Sequence, residues 1–549
     1  MRNFLEKGTS ILFRRQTNIL SAAFVLMVAV GLSSLLGIAR DRLLYARFYS
    51  CCSQDLDAYL AAFRLPDMVF QLVVLGAVSS AFIPVFSQLL QKDKKEAHST
   101  ASSVVTIISF IFLNIGAVIF LFARPLSELI TASFNPHQIN LMVDLTRIML
   151  LAQFFFLLSN FTTAIIQTHD RFLLPALSPL IYNLSIIVGI VAFSEKLGVF
   201  GPAVGVVIGA FLHLLIQIPL AVKLGFKFRP SLNLKLPGVL SIGRLMLPRS
   251  LTLAVSQIEL TVSVFLATSL APGSLAIFNL AQNLMTLPVR LIGTTIGQAT
   301  LPSLSRDFTK SDLAEFKTIL INSLHQVMFL VFPASTLLLV LRVQVVRLAF
   351  GAKTFPWQAT LLTGRVLMFF FLAIVTQAAT QILVRAFYAT HDTKTPFLAS
   401  SISIFTNISL AIFLTFHLGW GVIGLAAANS VGSLVQTLLL IISLDRKLKR
   451  FNRKDLFAPL LKMSLSAFLC AIFLWVPMRF LDKYFDTTRT INLIILTILA
   501  GATGLLVYIF FSRLLKIQEL RSYFGLVKRI GKWREVLSES DEVIESASR

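Results

Sequence analysis

The chain consists of long apolar runs separated by short polar segments. A helix needs about 20 mostly apolar residues to cross a membrane, and about fourteen runs qualify. They lie near residues 18–39, 58–90, 101–123, 143–166, 174–194, 199–222, 243–269, 275–302, 317–341, 360–388, 396–417, 420–443, 459–478 and 490–512. The runs stay apolar throughout, whereas barrel strands would alternate between apolar and polar residues. The pattern predicts an all-α polytopic membrane protein with about 14 transmembrane helices.

Two stretches about 220 residues apart repeat one pattern. In each, a Thr-His-Asp hinge precedes an Asn-x-Ser motif, and a Gly and a Gln follow at equal separation. The matching elements are Thr168-His169-Asp170 with Thr390-His391-Asp392, Asn183-x-Ser185 with Asn407-x-Ser409, and Gly205 and Gln217 with Gly424 and Gln436. Six predicted spans separate corresponding elements, so both copies point the same way. This indicates two six-helix lobes related by a parallel pseudo-twofold axis.

The last two predicted spans have no counterpart in the first half and are an addition to the two lobes. The expected organisation is a first lobe at residues 1–222, a cytoplasmic linker at 223–242, a second lobe at 243–443, a helix pair at 459–512, and a tail at 513–549. The tail is basic and amphipathic at first, and then acidic and Ser-rich. This composition predicts a helix on the anionic inner membrane surface followed by a disordered end.

Composition excludes a soluble protein. Hydrophobic residues make up 56% of the chain, charged residues 14%, and the mean hydropathy is +0.80. The formal net charge of +23 does not indicate nucleic-acid binding, because Lys and Arg gather in alternate loops, as the positive-inside bias requires. Only the loop near Arg342, Arg347 and Lys353 departs from this bias. A bacterial cytoplasmic (inner) membrane protein with both termini in the cytoplasm is expected.

Charged residues within the spans are the candidate functional residues, because a charge at a span centre costs about 2.5–3.5 kcal/mol on insertion scales. The residues that could line a hydrated, cationic cavity for an anionic headgroup are Arg40, Asp41, Asp57, Arg64, Arg249 and Arg290. Alternatively, arginines near span ends extend to the membrane surface and pair locally. Arg42, Arg47 and Arg244 fit that alternative better. Arg64 and Asp67 are one helical turn apart and can pair.

Catalytic and metal-binding patterns are not found in the sequence. The seven histidines are scattered, and the chain has neither an HExxH motif nor a P-loop. We therefore expect no enzymatic activity, no metal and no cofactor. Glu259 and Asn407 are candidates for coupling to an ion such as Na+, although no specific spacing supports them. The membrane potential acting on cavity charge is the other candidate driving force.

Several motifs resemble those of the MurJ (MviN) family of lipid II flippases. They are Gly37-Ile38-Ala39-Arg40-Asp41, Asp57-Ala58, Ala62-Phe63-Arg64-Leu65-Pro66, Phe82-Ile83-Pro84, Ser256-Gln257-Ile258 and Leu301-Pro302-Ser303-Leu304-Ser305. The resemblance covers nearly the whole chain. It implies the fold of the MOP exporter superfamily, with two six-helix lobes around a cationic cavity and two final helices forming a groove for a lipid tail. It also implies transfer of the undecaprenyl-pyrophosphate-linked peptidoglycan precursor, lipid II, from the inner to the outer leaflet by alternating access.

The chain departs from the family pattern at four positions. Ser34, Phe70 and Asn283 stand where the family commonly has basic residues, and Leu75 replaces a common acidic residue. Asn283 is nevertheless retained as a substrate-binding candidate, because Arg290 follows it by seven positions on the same helix face. We hypothesise that Arg290 supplies the missing guanidinium. The expected partners are lipid II or a similar polyprenyl-pyrophosphate glycolipid and membrane lipids, and a monomer is expected.

Three other classes of function remain open on sequence grounds: another transporter, an enzyme and a scaffold. The chain could export another polyprenyl-linked glycan or act as a MATE-like antiporter, although cationic drugs would favour an acidic cavity over an arginine-rich one. A polyprenyl-phosphate glycosyltransferase would need carboxylates in a sizeable external loop, whereas every predicted external loop is short. A non-transporting membrane scaffold related to the flippases is the third alternative, because some of the family's basic positions are lost.

Overall fold

The computed structural model describes residues 19–169, 171–309, 313–351, 355–390, 392–448, 452–484, 489–521 and 523. Within these ranges the regular secondary structure is helical, without strands. The α-helices are α1 Ile19–Ala62, α2 Arg64–Phe70, α3 Ile83–Lys92, α4 Lys94–Leu121, α5 Ala123–Ile130, α6 Pro136–Gln167, α7 Leu173–Val188, α8 Ser194–Leu197, α9 Phe200–Leu215, α10 Ile218–Lys223, α11 Pro237–Thr268, α12 Ser274–Pro288, α13 Thr295–Thr309, α14 Leu313–Val340, α15 Arg342–Phe350, α16 Trp357–Ala389, α17 Lys394–Ile412, α18 Val422–Lys447, α19 Arg453–Tyr484 and α20 Thr490–Leu514.

Five segments adopt the wider turns of a π-helix. They are Gln71–Leu75, Val78–Phe82, Gly189–Phe193, Val289–Thr294 and Phe413–His417. The basic N-terminus and most of the tail, together with Asp170 and His391 of the two predicted hinges, lie outside the described residues.

Twelve helical segments of the described chain are long and apolar enough to cross a membrane. One of them, Gly31–Leu75, contains parts of the first two predicted spans, because α1 continues through the expected connection and is non-helical only at Cys52. The seventh predicted span lies within α11, of which the apolar part Leu253–Thr268 falls short of the length that a membrane span needs. These two differences account for the twelve observed candidate spans in place of about fourteen predicted ones. The predicted all-helical polytopic fold is confirmed.

The chain forms two compact units. Unit 1 comprises residues Met1–Ala276 and Ala349–Phe355, and unit 2 comprises Ile277–Leu348 and Pro356–Arg549. Helix α11 therefore belongs to unit 1, although it opens the predicted second lobe. The lobe limits at residues 222, 243 and 443 stay a prediction.

Corresponding helices of the two repeats pack in the same way inside each unit. In unit 1, α9 packs on α6 and α7, and in unit 2, α18 packs on α16 and α17. Glycines allow this close approach, because a Cβ on Gly205 would lie 2.8 Å from the carbonyl oxygen of Ser185. A Cβ on Gly432 would likewise lie 2.9 Å from the Cβ of Asn407. Each repeat thus folds into a comparable three-helix group.

A buried polar network in unit 1 joins α6 to α9 and to Gln217, which lies between α9 and α10. The Ser159 hydroxyl lies 2.6 Å from Nδ1 of His213 and accepts a hydrogen bond from Nε2 of Gln217 at 2.9 Å. Thr163 donates to Oε1 of Gln217 at 2.7 Å. Because polar groups inside an apolar span need partners, this network fixes how the two helices face each other.

Hydroxyl pairs take the place of that network in unit 2. Thr376 lies 2.8 Å from Ser433, and Thr380 lies 3.0 Å from Thr437, in each case between the hydroxyl oxygens. Thr437 also donates to the carbonyl oxygen of Thr376 at 3.0 Å. The repeats therefore share helix packing, while the polar side chains between the packed helices differ.

Candidate functional site

Arg40 lies on α1 and is held by two side chains. Its Nε and Nη2 donate to Oδ1 of Asp41 at 2.9 and 2.6 Å, and its Nη1 donates to Oδ1 of Asn183 at 3.1 Å. A guanidinium carries five N–H donors, so these three bonds leave two for a ligand. The side chain is 26% exposed, and it can reach such a ligand without losing its supports.

Asn183 orients this arginine from α7. Its Nδ2 donates to the backbone oxygen and to Oγ of Ser33 at 3.3 and 3.2 Å. These bonds turn its carbonyl oxygen toward Arg40. Tyr59 and Tyr182 also lie close enough to Arg40 to interact with it electrostatically. Helices α1 and α7 thus surround one cationic side chain with polar groups inside unit 1.

Arg64 is buried near the start of α2 and connects it to α11. Its Nε donates to Oγ1 of Thr261 at 2.9 Å, and its Nη2 donates to the backbone oxygen and Oε1 of Gln257 at 2.8 and 2.6 Å. The hydrogen bonds go to α11, not to Asp67, the partner that helical spacing allows. Arg64 therefore links two helices of unit 1 through charge-assisted bonds.

Asp57 has a structural role in this arrangement. Its side chain is buried on α1, and its Oδ2 and Oδ1 accept hydrogen bonds from the backbone N–H groups of Gly273 and Ala276 at 2.6 and 2.9 Å. Both N–H groups belong to the start of α12, where the helix has unpaired donors and a partial positive charge. The carboxylate caps that helix, and its predicted contact with substrate stays a prediction.

Asn283 and Arg290 lie in unit 2 and are both exposed. Asn283 is on α12, and Arg290 is in the π-helical segment Val289–Thr294 that follows Pro288. Proline lacks a backbone N–H and disturbs regular α-helical bonding, which explains the widened turns there. An exposed Arg290 is accessible to a ligand, as the compensation hypothesis requires.

The two candidate ion-coupling residues lie in different units. Glu259 is half-buried on α11 of unit 1, and Asn407 is buried on α17 of unit 2 beside Gly432. Across the described residues, no group of three or more His, Cys, Asp or Glu side chains is placed to hold a metal ion. The side chain of Arg249 lies outside the described part of the structure.

Sequence reasoning did not select three residues that build this site. They are Asn183, Tyr182 and Gln257. A signal for Asn183 was present, because it belongs to the repeated Asn-x-Ser motif. Gln257 lies in a family-like motif, but its contact with Arg64 depends on how α11 packs and has no sequence signal.

These features define the class of protein: a polytopic helical membrane protein with arginines held by polar partners among its apolar helices. A solved structure of a multidrug resistance MATE family transporter of the MOP superfamily, in an inward-facing conformation, has a similar fold. The TM-score is 0.62 at 14% identity, with 76% of this chain and 94% of that chain covered. The likeness at this identity concerns the fold alone.

The chain belongs to the MurJ family of lipid II flippases. The family model described as "Lipid II flippase MurJ" matches residues 52–495. A probable lipid II flippase MurJ of Thermotoga maritima is 29% identical, with 89% of this chain and 95% of that protein covered. The lipid II flippase MurJ of Burkholderia cenocepacia is 28% identical, with 76% and 82% covered. A structure of lipid II flippase MurJ in an inward closed conformation has a TM-score of 0.75 at 27% identity, with 89% of this chain and 98% of that chain covered.

Proposed function

We propose that this protein moves lipid II from the inner to the outer leaflet of the bacterial cytoplasmic membrane. It thereby provides the precursor for peptidoglycan synthesis, on which wall growth and cell shape depend. The observation that carries the proposal is the family match over residues 52–495. It acts as a transporter, not as an enzyme, and as a monomer. Both termini lie in the cytoplasm, as the basic loops predict.

Arg40 binds the pyrophosphate of the substrate in this proposal. Its two remaining N–H donors can contact phosphate oxygens while Asp41 and Asn183 hold the guanidinium in place. Such a preorganised donor does not have to be ordered when the substrate arrives. Arg64 contributes its charge from α2, while Gln257 and Thr261 fix its position.

Arg290 contributes a further guanidinium from the second lobe, and Asn283 lies on the same face. Arg249 is the remaining candidate for contact with the headgroup. The polyprenyl tail stays in lipid along the last two helices, α19 and α20, whose sides carry many exposed apolar residues. The lobes alternate between inward and outward access, which requires that the substrate bind the two states unequally.

The membrane potential drives this cycle by acting on the cavity charge. The contribution is about 2.3 kcal/mol for each elementary charge per 100 mV. Coupling to Na+ would instead use Glu259 and Asn407. Dissipating the potential at constant Na+ distinguishes the two sources: transport that persists without a potential contradicts the first.

The test is leaflet transfer of labelled lipid II in proteoliposomes. We expect transfer well above protein-free vesicles for the wild-type protein. A polyprenyl-linked glycan with a different headgroup serves as the competing substrate. A well-folded protein that moves only the competing lipid would support the alternative glycan exporter. One that binds lipid II without moving it would support the scaffold, and either result would contradict the proposal.

A further inference from the structure

A polar cavity lies within unit 2, and none of the residues assigned to the substrate lines it. It has a volume of about 530 Å³ and is formed by the beginnings of α14 and α19 and by the segment that follows α20. Its charged lining residues are Lys317, His325, Asp455, Lys462, Lys516 and Glu519. Nothing in the proposed transport cycle uses this cavity.

The acidic side chains of the cavity are engaged by neighbours. Oε1 of Glu519 lies 3.4 Å from Nδ1 of His325, and Oδ2 of Asp455 accepts a hydrogen bond from Nδ2 of Asn452 at 2.7 Å. Nε2 of His325 lies 3.0 Å from the carbonyl oxygen of Leu456. Because a carbonyl can only accept, Nε2 donates this bond and ties α14 to α19. The lining thus has three ammonium groups against two carboxylates, an excess of one positive charge among its Lys, Asp and Glu side chains.

The backbone at Lys516 is unusual. Its φ of 54° is the only positive value at a non-glycine residue in the described chain. Lys516 ends α20 by donating its N–H to the oxygen of Arg513 at 3.1 Å, while Ile517 donates to Ser512 at 2.9 Å. This is a helix end at which glycine is usual. A lysine there places an ammonium group at the cavity in spite of a less favourable backbone conformation.

The cavity lies at one end of two apolar helices. Helices α19 and α20 both contain apolar segments long enough to span a membrane, and all lining elements lie at the same end of these helices. Apolar side chains are exposed along α19 next to Lys462, including Leu461, Leu465 and Phe468. This end is the one that the basic loops predict to be cytoplasmic. Basic pockets between membrane helices at that surface suit the phosphate of a lipid headgroup.

We propose that this cavity binds the phosphate-bearing headgroup of an anionic phospholipid of the inner leaflet. Lys462 and Lys516 contact the headgroup phosphate, and the acyl chains extend into the surrounding membrane lipid. The site is separate from the Arg40 site and holds a membrane lipid as a bound component, not as cargo. Its occupancy secures the segment after α20 against the beginnings of α14 and α19.

The test compares two doubly substituted proteins with equal charge loss. Lys462→Gln with Lys516→Gln removes two cavity ammonium groups, whereas Lys394→Gln with Lys454→Gln removes two exposed lysines that do not line the cavity. Each full-length protein is equilibrated with mixed phosphatidylglycerol and phosphatidylcholine vesicles, and the retained lipid is identified by mass. We expect preferential phosphatidylglycerol retention by the wild type and the control, and an about tenfold loss of that preference in the cavity variant.

Two further measurements keep the outcomes distinct. Circular dichroism reports whether the cavity variant folds. Leaflet transfer of lipid II tests the transport proposal separately from the lipid-binding proposal. Soluble glycerol phosphate, added in place of vesicles, tests for a free phosphate ligand through the melting temperature. Three results would each overturn the proposal. The wild type could retain the two lipids equally, or a folded cavity variant could show unchanged retention. Glycerol phosphate could also stabilise the protein as strongly as phosphatidylglycerol does.

Discussion

Replacing Arg40 with alanine should weaken lipid II binding by about 10- to 140-fold. The estimate follows from the two N–H donors that Asp41 and Asn183 leave available on this side chain. Losing hydrogen bonding to a charged group costs about 1.5–3 kcal/mol, and each 1.4 kcal/mol is about tenfold in a dissociation constant. The measurement is titration of purified protein with lipid II, followed by leaflet transfer in proteoliposomes.

Three further variants separate binding from positioning and from general charge. Arg47→Ala removes an exposed arginine from the same helix and should leave binding within about twofold, the usual scale of surface changes. Asn183→Ala removes one support of Arg40 and should cost about 1 kcal/mol, which is about fivefold. Arg40→Ala combined with Asp41→Asn removes the carboxylate that would otherwise repel phosphate.

The double variant decides between two causes of weaker binding. If Arg40 contacts the pyrophosphate, binding by the double variant stays at least about tenfold weaker than wild type, for the reason given above. If the loss in the single variant came only from the exposed negative charge of Asp41, the double variant recovers. Recovery to wild-type affinity, or wild-type affinity in Arg40→Ala itself, would refute the assignment.

The remaining predictions concern stability. Asp57→Ala should lower the free energy of unfolding by about 1–3 kcal/mol, because two N–H groups at the start of α12 lose their acceptor; an unchanged melting temperature would contradict the capping role. Gly205→Ala brings a methyl group to 2.8 Å from a backbone oxygen and should lower the free energy of unfolding by about 1–3 kcal/mol through overpacking. In the control, Gly243→Ala, the methyl group meets nothing within 4 Å, and stability should not change. Equal melting temperatures of the two variants would refute this prediction. Burial alone would raise the pKa of Glu519, but its hydrogen bond with His325 lowers the pKa below the usual 4.5. The contribution of Glu519 to stability is therefore complete above pH 4.5 and is lost as the pH falls through the folded pKa. A Glu519→Gln protein should lack this acid-dependent step in its melting temperature.

The fold was largely predictable, because the apolar runs and the Asn-x-Ser repeat depend on local sequence. The correspondence between individual glycines of the two repeats was predicted wrongly. The sequence pairs Gly205 with Gly424, whereas the structure places Gly201 and Gly424 alike: each donates its N–H to a positive-φ glycine three residues earlier, Gly198 and Gly421. A shift of four residues leaves a glycine on nearly the same helix face. Spacing alone could not detect that error.

The site was predictable in its residue types and not in its contacts. Charges within apolar spans selected Arg40 and Arg64 as candidates, and their contact with substrate stays a prediction. Helical spacing offered Asp67 as a partner for Arg64, yet the hydrogen bonds go to Gln257 and Thr261, almost 200 positions away in the chain. Such partners depend on tertiary packing, which local periodicity does not encode. The capping role of Asp57 was missed for the same reason.

The two π-helical segments of the repeats occupy equivalent positions. Gly189–Phe193 and Phe413–His417 have the same length, and each begins six positions after the asparagine of its motif. Both asparagines are buried, and π-turns are rare in regular helices. The repeats therefore share a local departure from α-helical geometry as well as a sequence motif.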